Sequence, residues 1–186
     1  MVIWITGISA SGKSTLGKYF FRKFKKQKKN TVFFDGDEFR KIFHDDIKYT
    51  LIDRDVNAIR LTSLVKYVSD QKVNLIVSAN ITSQRFRNWC RKNVKNYFEI
   101  FIDTPMEILR KRDYKKLYKN AFSGKIKNVV GVDIKFIKPK KPDLILNNSS
   151  TKQDLYSNYK KIYDQEFKQN GYFRIIKRSP LYICKK

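Results

Sequence analysis

The sequence predicts an α/β fold, a three-layer sandwich whose mostly parallel five-stranded sheet carries helices on both faces. Short apolar runs alternate along the chain with longer stretches of helical character, which is typical of parallel strands joined by crossover helices. Within these runs the apolar residues follow one another without interruption, which indicates burial on both faces. At 186 residues, 41% of them hydrophobic, the chain can bury the core of a single domain.

The order of the predicted elements follows from these runs. The strand candidates are Val2–Thr6, Thr31–Asp35, Asn74–Asn80, Tyr97–Asp103 and Asp143–Asn147. Helices are expected near 13–29, 38–44, 54–71, 84–94, 105–121 and 151–169. Residues 123–142 combine glycine, proline and lysine without a clear period, so we expect a mobile connection there. We therefore assign residues 1–173 to one domain and treat 174–186 as a C-terminal extension without an assigned role.

The bulk composition favours an anionic partner and argues against a membrane or disulfide-rich protein. The net charge of +24 suits a nucleotide, a nucleic acid or a phosphorylated metabolite, but the charge is spread along the chain like a lysine-coated surface. Cys90 and Cys184 have neither metal-ligand nor redox spacing. The N-terminus does not resemble a signal peptide, and no apolar run approaches the roughly 20 residues that span a bilayer. We expect a cytoplasmic protein without a membrane segment.

The stretch "GISASGKST" directly follows the first strand and opens the first helix. It matches the P-loop pattern, in which glycines let backbone N–H groups curl around phosphate oxygens and the helix N-terminus adds its positive dipole end. Lys13 would reach the β- and γ-phosphates, and the hydroxyl of Ser14 would bind Mg²⁺. The sequence therefore predicts a P-loop NTPase fold with ATP and Mg²⁺ as cofactors. The residues expected at the triphosphate are Gly7, Ser9, Ala10, Ser11, Gly12, Lys13, Ser14 and Thr15.

An acidic pair closes the second strand in "FFDGDEFR". Ligands of open α/β sheets gather at the carboxyl ends of the strands, so Asp35 and Asp37 would lie beside the phosphates. One carboxylate could help to hold Mg²⁺ and the other could accept a proton from an attacking hydroxyl; a solvated acidic turn is the alternative. No Asn-Lys-x-Asp base-reading motif of a switch GTPase follows. A small P-loop protein with such a pair is more often a kinase for a small acceptor.

The helix beginning near Arg54 places polar residues on its inward face. Arg54 and Asn57 continue its apolar stripe at helical spacing, and Arg60 lies on the flank of the same face. Polar groups on an inward face need a polar partner, and a bound anionic acceptor would supply one. Internal ion pairs with Asp53 or Asp55 are the structural alternative. The stripe consists of Leu61, Leu64, Val65 and Val68.

Six segments follow one another along the chain: "GISASGKST", "DGDEFR", "DRDVNAIR", "FIDTP", "RDYKKLYKNAFSGKIKNVVGVD" and "PDLILNN". Together they resemble adenylylsulfate kinases, P-loop enzymes that phosphorylate the ribose 3′-hydroxyl of adenylyl sulfate. The likeness covers roughly residues 1 to 173, and the long block after residue 116 is more specific than the P-loop.

The resemblance implies roles around the acceptor nucleotide. Asp37 would be the base for the 3′-hydroxyl, with Lys13 and Asp35 completing the catalytic set and Asp35 nearer the metal. Residues 123–142 would be a lid that closes over the reaction and excludes water. Tyr49 and Phe136 would sandwich the acceptor base, although either could be an ordinary packing residue. The residues implied to contact the acceptor are Arg40, Tyr49, Arg54, Asn57, Ile81, Thr82, Lys127 and Phe136. The family also makes a homodimer plausible.

The departures from the family pattern lie around the acceptor. Asn80-Ile81-Thr82-Ser83 replaces the usual Phe-Ile-Ser-Pro, Lys48-Tyr49 replaces Gly-Phe, and Ile137 replaces the acid after the lid aromatic. Adenylyl sulfate is the first acceptor that the resemblance implies. Cytidine diphosphoramidate, the acceptor of relatives in capsule pathways, is the alternative that these changes suggest. A basic nucleic-acid-binding protein is the third interpretation, and no recognisable recognition module supports it.

Overall fold

A computed structural model describes residues 1–44, 46–113, 115–149, 152–168 and 181–183. Its sheet has six strands in the order β2-β3-β1-β4-β5-β6, and every neighbouring pair is parallel. The predicted α/β sandwich is confirmed, and a sixth strand is added inside the C-terminal extension. The strands are β1 Val2–Thr6, β2 Thr31–Asp35, β3 Asn74–Ser78, β4 Tyr97–Asp103, β5 Leu144–Asn147 and β6 Leu181–Ile183.

Seven α-helices connect and cover these strands in the described residues. They are α1 Lys13–Gln27, α2 Gly36–Ile42, α3 Leu51–Asp70, α4 Gln84–Asn93, α5 Met106–Lys111, α6 Leu117–Phe122 and α7 Lys152–Ile162. A π-helical segment, Tyr163–Lys168, continues α7. Residues 151 and 169, the ends of the predicted terminal helix, lie outside the described residues. No helix in the described ranges is long and apolar enough to cross a bilayer.

Side chains of β1 alternate between the two faces of the sheet, as strand geometry requires. Val2 and Trp4 enter the core beneath α3 and α4, whereas Ile3 and Ile5 enter the core beneath α1 and α7. All four are fully buried. This two-sided burial explains why β1 is apolar at every position and confirms the three layers.

The helices that follow β1 and β3 lie on opposite faces of the sheet, although the two strands are neighbours. Phe20 of α1 belongs to one core and Phe86 of α4 to the other. In open α/β sheets the crevice between such strands, at their carboxyl ends, is where ligands bind. The P-loop and the loop after β3 therefore flank this crevice.

Some element boundaries differ from the prediction. The helix predicted over 105–121 is wrong as a single helix, because the chain breaks after Lys111 and Lys116 adopts a left-handed conformation. The Asp113 carboxylate accepts a hydrogen bond from Lys119 N and supports the new start. Helix α3 begins at Leu51 because Thr50 and Asp53 form a capping box. Strand β3 ends at Ser78, two residues before its predicted end.

Candidate active site

The P-loop has the backbone conformation that its glycines predict. Gly7 has φ 154° and Gly12 φ 99°, and Ala10 between them has φ 60°. A Cβ atom on Gly7 would lie 2.8 Å from the backbone oxygen of Ile102, so the loop could approach β4 this closely only with glycine there. The loop therefore curls tightly over the end of β1.

Three side chains donate hydrogen bonds to carbonyl groups of the P-loop. Lys13 Nζ donates to Ile8 O at 2.8 Å, and the Tyr118 hydroxyl donates to Ser9 O at 2.8 Å. Asn148 Nδ2 donates to Ser11 O at 2.7 Å. The sequence reasoning assigned no role to Tyr118 or Asn148, although both lie in segments that carry the family resemblance. With the carbonyls engaged, the amide groups are left for a ligand.

The first turn of α1 presents free hydrogen-bond donors. Within the described part of the chain, the amides of Gly12, Lys13 and Ser14 have no protein acceptor. This turn has no side-chain cap and no acidic residue. Unpaired amides at a helix N-terminus, together with the helix dipole, form a site for an anion such as phosphate.

Lys13 lies half-buried between these amides and the acidic pair. Burial lowers the pKa of Lys13 from 10.5 to about 8, while Asp37 and Asp35 oppose that shift. A phosphate group beside the ammonium would favour its charged form. Binding of a triphosphate would therefore stabilise the charged form of Lys13.

Ser14 and Asp35 meet across the crevice. The Ser14 hydroxyl donates to Asp35 Oδ2 at 2.6 Å, and Asp35 Oδ1 accepts from Asp37 N at 3.0 Å. A hydroxyl and a carboxylate are oxygen ligands of the kind that Mg²⁺ binds, and Mg²⁺ takes its remaining ligands from phosphates and water. No cluster of three or more His, Cys, Asp or Glu side chains able to hold a metal occurs in the described ranges. The donor set thus fits a magnesium ion that arrives with a nucleotide.

Asp37 lies in the first turn of α2. Its carboxylate is exposed, and Oδ2 lies 3.1 Å from Lys115 Nζ, a residue that the sequence reasoning did not select. Gly36 leaves room for this turn, because a Cβ atom on it would lie 3.0 Å from the Cβ of Ala79. An exposed carboxylate beside the P-loop has the access that a proton acceptor needs.

Two arginines converge on Tyr49 on the acceptor side. The guanidinium carbon of Arg40 lies 4.8 Å from the ring centre and that of Arg54 lies 5.7 Å from it. Neither arginine forms an ion pair with a carboxylate in the described residues, and Arg40 is buried. Burial, and secondarily the charge of Arg40, lower the pKa of Arg54. Asp133 and Asp53 oppose that shift without forming an ion pair, so the two guanidinium groups remain able to bind an anion.

Two asparagine side chains on the acceptor side have unsatisfied oxygen atoms. Asn57 Oδ1 and Asn80 Oδ1 are buried without a hydrogen-bond partner among the described side chains. Buried acceptors of this kind are costly unless a ligand or water supplies a donor. Asn80 replaces the family phenylalanine, so this polar group was visible in the sequence although no role was given to it. Ile81 and Thr82, which follow it, are both buried.

Residues 123–142 are anchored to both the P-loop and helix α3. They contain no helix or strand, only an isolated bridge between Val130 and Ile134. Val130 and Ile134 are buried in a third apolar cluster that includes Ile8 of the P-loop. Arg54 Nη2 donates to Asn128 O at 2.7 Å and Nε donates to Tyr49 O at 3.0 Å. The segment therefore joins the nucleotide side to the acceptor side.

The remaining predicted side chains are placed as follows. Phe136 packs on Phe101, with the ring centres 5.8 Å apart. Lys127 is exposed, and its ammonium group has no hydrogen bond or ion pair within the described ranges. Arg60 forms a two-bond ion pair with Asp46 at 2.8 Å, so it belongs to the flank and not to the pocket. Arg54 does not form the alternative ion pair with Asp53 or Asp55, since both hydrogen bonds of its guanidinium group go to carbonyl groups.

Comparison with known proteins assigns this arrangement to a family. The family model for adenylylsulphate kinase matches residues 1–147. The chain is 40% identical over 148 residues to the cytidine diphosphoramidate kinase of Campylobacter jejuni, an alignment that covers 80% of this chain and 86% of that protein. The chain belongs to the adenylylsulphate kinase family. The adenylyl-sulfate kinase of Buchnera aphidicola is 35% identical over 164 residues, with 87% of this chain and 78% of that protein covered.

A solved structure extends the likeness to three dimensions. The APS kinase of Mycobacterium tuberculosis, solved in complex with AMPPNP and APS, superimposes with a TM-score of 0.76 at 30% identity. The match covers 88% of this chain and 95% of that one. The chain is thus a kinase of the adenylylsulphate kinase family with a P-loop fold, as the sequence predicted.

Proposed function

We propose that this kinase transfers the γ-phosphoryl group of ATP to the ribose 3′-hydroxyl of a nucleotide acceptor. One observation carries the proposal. The P-loop presents free amides and Lys13, and the 123–142 segment joins it to two further cations, Arg40 and Arg54, since this segment packs on Ile8 and accepts a hydrogen bond from Arg54. A chain with two anion sites on either side of an accessible carboxylate suits phosphoryl transfer between two phosphorylated molecules.

The roles on the ATP side follow from the contacts of the P-loop. Gly7 and residues 9–15 would surround the triphosphate. The amides of Gly12, Lys13 and Ser14 would donate to phosphate oxygens. Ser14 and Asp35 would hold Mg²⁺, which neutralises the charge that develops on the phosphates. Lys13 would add a fixed positive charge at the β- and γ-phosphates.

The chemical step needs a proton acceptor and an aligned hydroxyl. The 3′-hydroxyl oxygen bonds to the γ-phosphorus as the bond from that phosphorus to the bridging oxygen breaks, and ADP departs. We assign Asp37 as the acceptor of the hydroxyl proton. Placement contributes most of the rate in such reactions, because little covalent chemistry is left to the protein. Residues 123–142 would close over the pocket and exclude water.

The acceptor would lie between the loop after β3 and the 123–142 segment. Arg40, Arg54 and Lys127 would bind its anionic groups, and the Asn57 amide would meet one of its donors. Tyr49 and Phe136 would contact its base, while Ile81 and Thr82 would line the wall. Support comes from the two guanidinium groups, which form no ion pair among the described residues, and from the unsatisfied oxygen of Asn57.

Two acceptors are candidates, and specific observations favour the second. Adenylyl sulfate is named in relatives 33–35% identical to this chain, whereas the relative named for cytidine diphosphoramidate is 40% identical. The departures at Asn80, Tyr49 and Ile137 all lie on the acceptor side. A phosphoramidate carries N–H donors that a sulfate lacks, and the unpaired oxygens of Asn57 and Asn80 need donors.

A direct comparison of the two acceptors tests the proposal. The purified chain is given ATP, Mg²⁺ and each acceptor separately, and kcat/KM is measured from ADP release and product analysis. We expect 3′-phosphorylated product, with the higher kcat/KM for cytidine diphosphoramidate. The opposite ratio would assign adenylyl sulfate instead. Absence of 3′-phosphorylation of either nucleotide would overturn the proposed function.

A further inference from the structure

Arg87 of α4 is a fully buried cation whose bonds join two segments far apart in the chain. Its side chain is 1% exposed. Nη2 donates to the carbonyl groups of Ile81 and Ile137, the second at 2.8 Å. Nη1 donates to Gln84 Oε1 at 3.1 Å. One guanidinium thus ties the loop after β3 to the C-terminal arm of the 123–142 segment.

The carboxylate near Arg87 does not account for this geometry. Glu99 is also buried, but its Oε1 lies 3.8 Å from Arg87 Nε, and neither atom has a hydrogen-bond partner in the described residues. Arg91, one turn further along α4, makes the closer contact with Glu99 at 3.1 Å and a second with Asp143 at 3.0 Å. Arg87 is therefore oriented by the two carbonyl groups rather than by its ion pair.

Burying a guanidinium is costly, and the fold recovers that cost only while each bond is made. The planar fork of arginine can bond several carbonyl groups in fixed directions, which the single ammonium of lysine cannot reproduce. Both carbonyl groups lie next to residues of the acceptor pocket. Ile81 precedes Thr82, and Ile137 follows Phe136.

We propose that Arg87 is a positioning residue that fixes the loop after β3 against the C-terminal arm of the 123–142 segment and so sets the width of the acceptor pocket. It touches no reacting atom, and it acts through Thr82 and Phe136 on either side of the pocket. The inference rests on the proposed function, because it takes the acceptor to bind between these two segments. Gln84 reinforces the contact, since its Oε1 also accepts from Lys140 N at 3.4 Å.

The test compares Arg87→Lys with Arg91→Lys. Both variants keep the charge beside Glu99, but only the first removes the bonds between the loop and the arm. For Arg87→Lys we expect the KM of the acceptor to rise about tenfold or more, the scale of a lost charged hydrogen bond, with the KM of ATP within about twofold. For Arg91→Lys we expect both KM values to stay within about twofold, since Arg91 bonds neither the loop after β3 nor the 123–142 segment in the described structure and lysine keeps the charge beside Glu99 and Asp143.

Hydrogen exchange gives a readout that does not depend on catalysis. In Arg87→Lys we expect faster amide exchange in peptides covering residues 80–83 and 136–140, with little change in the P-loop, whereas Arg91→Lys leaves both peptides as in the wild type. Equal exchange in the two variants, or a parallel rise in the KM of ATP and acceptor, would overturn the positioning role. Inactivity of the wild type toward both acceptors would sink the proposed function, while the exchange result would still decide what Arg87 fixes.

Discussion

The Ser14 hydroxyl donates a 2.6 Å hydrogen bond to Asp35 Oδ2, which joins the first turn of α1 to the end of β2. Helix α1 follows β1, and β1 and β2 are not neighbours, because β3 lies between them in the sheet. The contact brings two hard oxygen atoms together at the point where the phosphates of a nucleotide would lie. We therefore propose that Asp35 acts at the metal and Asp37 does not, since the Asp37 carboxylate contacts Lys115 instead.

Asp35→Asn should raise the Mg²⁺ concentration needed for half-maximal activity by about 10- to 100-fold, the usual cost of losing a group that supports a metal. Asparagine caps helices as well as aspartate does, so α2 should remain intact. Activity titrated against Mg²⁺ at fixed ATP measures the effect. Glu38→Gln, which removes an exposed neighbouring carboxylate paired with Lys41, is the control. An unchanged Mg²⁺ requirement would remove Asp35 from the metal site.

Asp37→Asn should lower kcat by about 10²- to 10⁴-fold at saturating Mg²⁺, because the acceptor hydroxyl loses its base. Binding of a non-hydrolysable ATP analogue should change by less than about twofold, since the P-loop amides are untouched. Kinetics and calorimetry on one preparation give both values. A turnover close to that of the wild type would show that Asp37 is not the base, and a shifted Mg²⁺ requirement would show that its role is at the metal.

Arg54→Ala should raise the KM of the acceptor by about 10- to 100-fold, the range expected for a lost hydrogen bond to a charged group. The KM of ATP should change far less, because Arg54 lies on the acceptor side. Arg60→Ala on the same helix is the matched control, since that guanidinium bonds Asp46 and lies 4.5 Å from the Phe43 ring centre. Equal losses for ATP and acceptor would indicate that Arg54 only supports the fold.

Binding of an ATP analogue should weaken as the pH rises above about 8, where free Lys13 loses its proton. Phosphates favour the charged form, so binding above this pH takes up a proton, and affinity should fall by about tenfold per pH unit. The same depressed pKa means that charged Lys13 destabilises the fold below about pH 8. This destabilisation diminishes as the pH rises from about 8 toward 10.5.

Calorimetry in buffers of different ionisation enthalpy measures this proton uptake between pH 7 and 9.5. Lys18→Met, an exposed substitution on α1, should retain the pH dependence, while Lys13→Met should lose it together with much of the affinity. A pH-independent affinity in the wild type would contradict the assignment of Lys13 as the phosphate-binding cation.

Motifs that are contiguous in the chain were the most predictable part of the site. The P-loop and the acidic pair Asp35 and Asp37 each occupy one strand–loop–helix junction, so periodicity and spacing indicated both. The start of α3 was missed although Thr50 and Asp53 form a readable capping pattern. The break after Lys111 was missed because the stretch has helical periodicity on both sides of Asp113.

The sequence by itself determined the layers, the phosphate loop and the kinase family, because hydrophobic period and local turn chemistry act over a few residues. Only the tertiary structure decided the distant contacts: Tyr118 and Asn148 on the P-loop, Arg54 on Asn128, and Arg87 on both Ile81 and Ile137. Each of these joins groups that are brought together by strand order and packing across the crevice. Such pairs leave no periodic trace in the chain, since a hydrogen bond depends on the distance between two atoms and not on their separation in sequence.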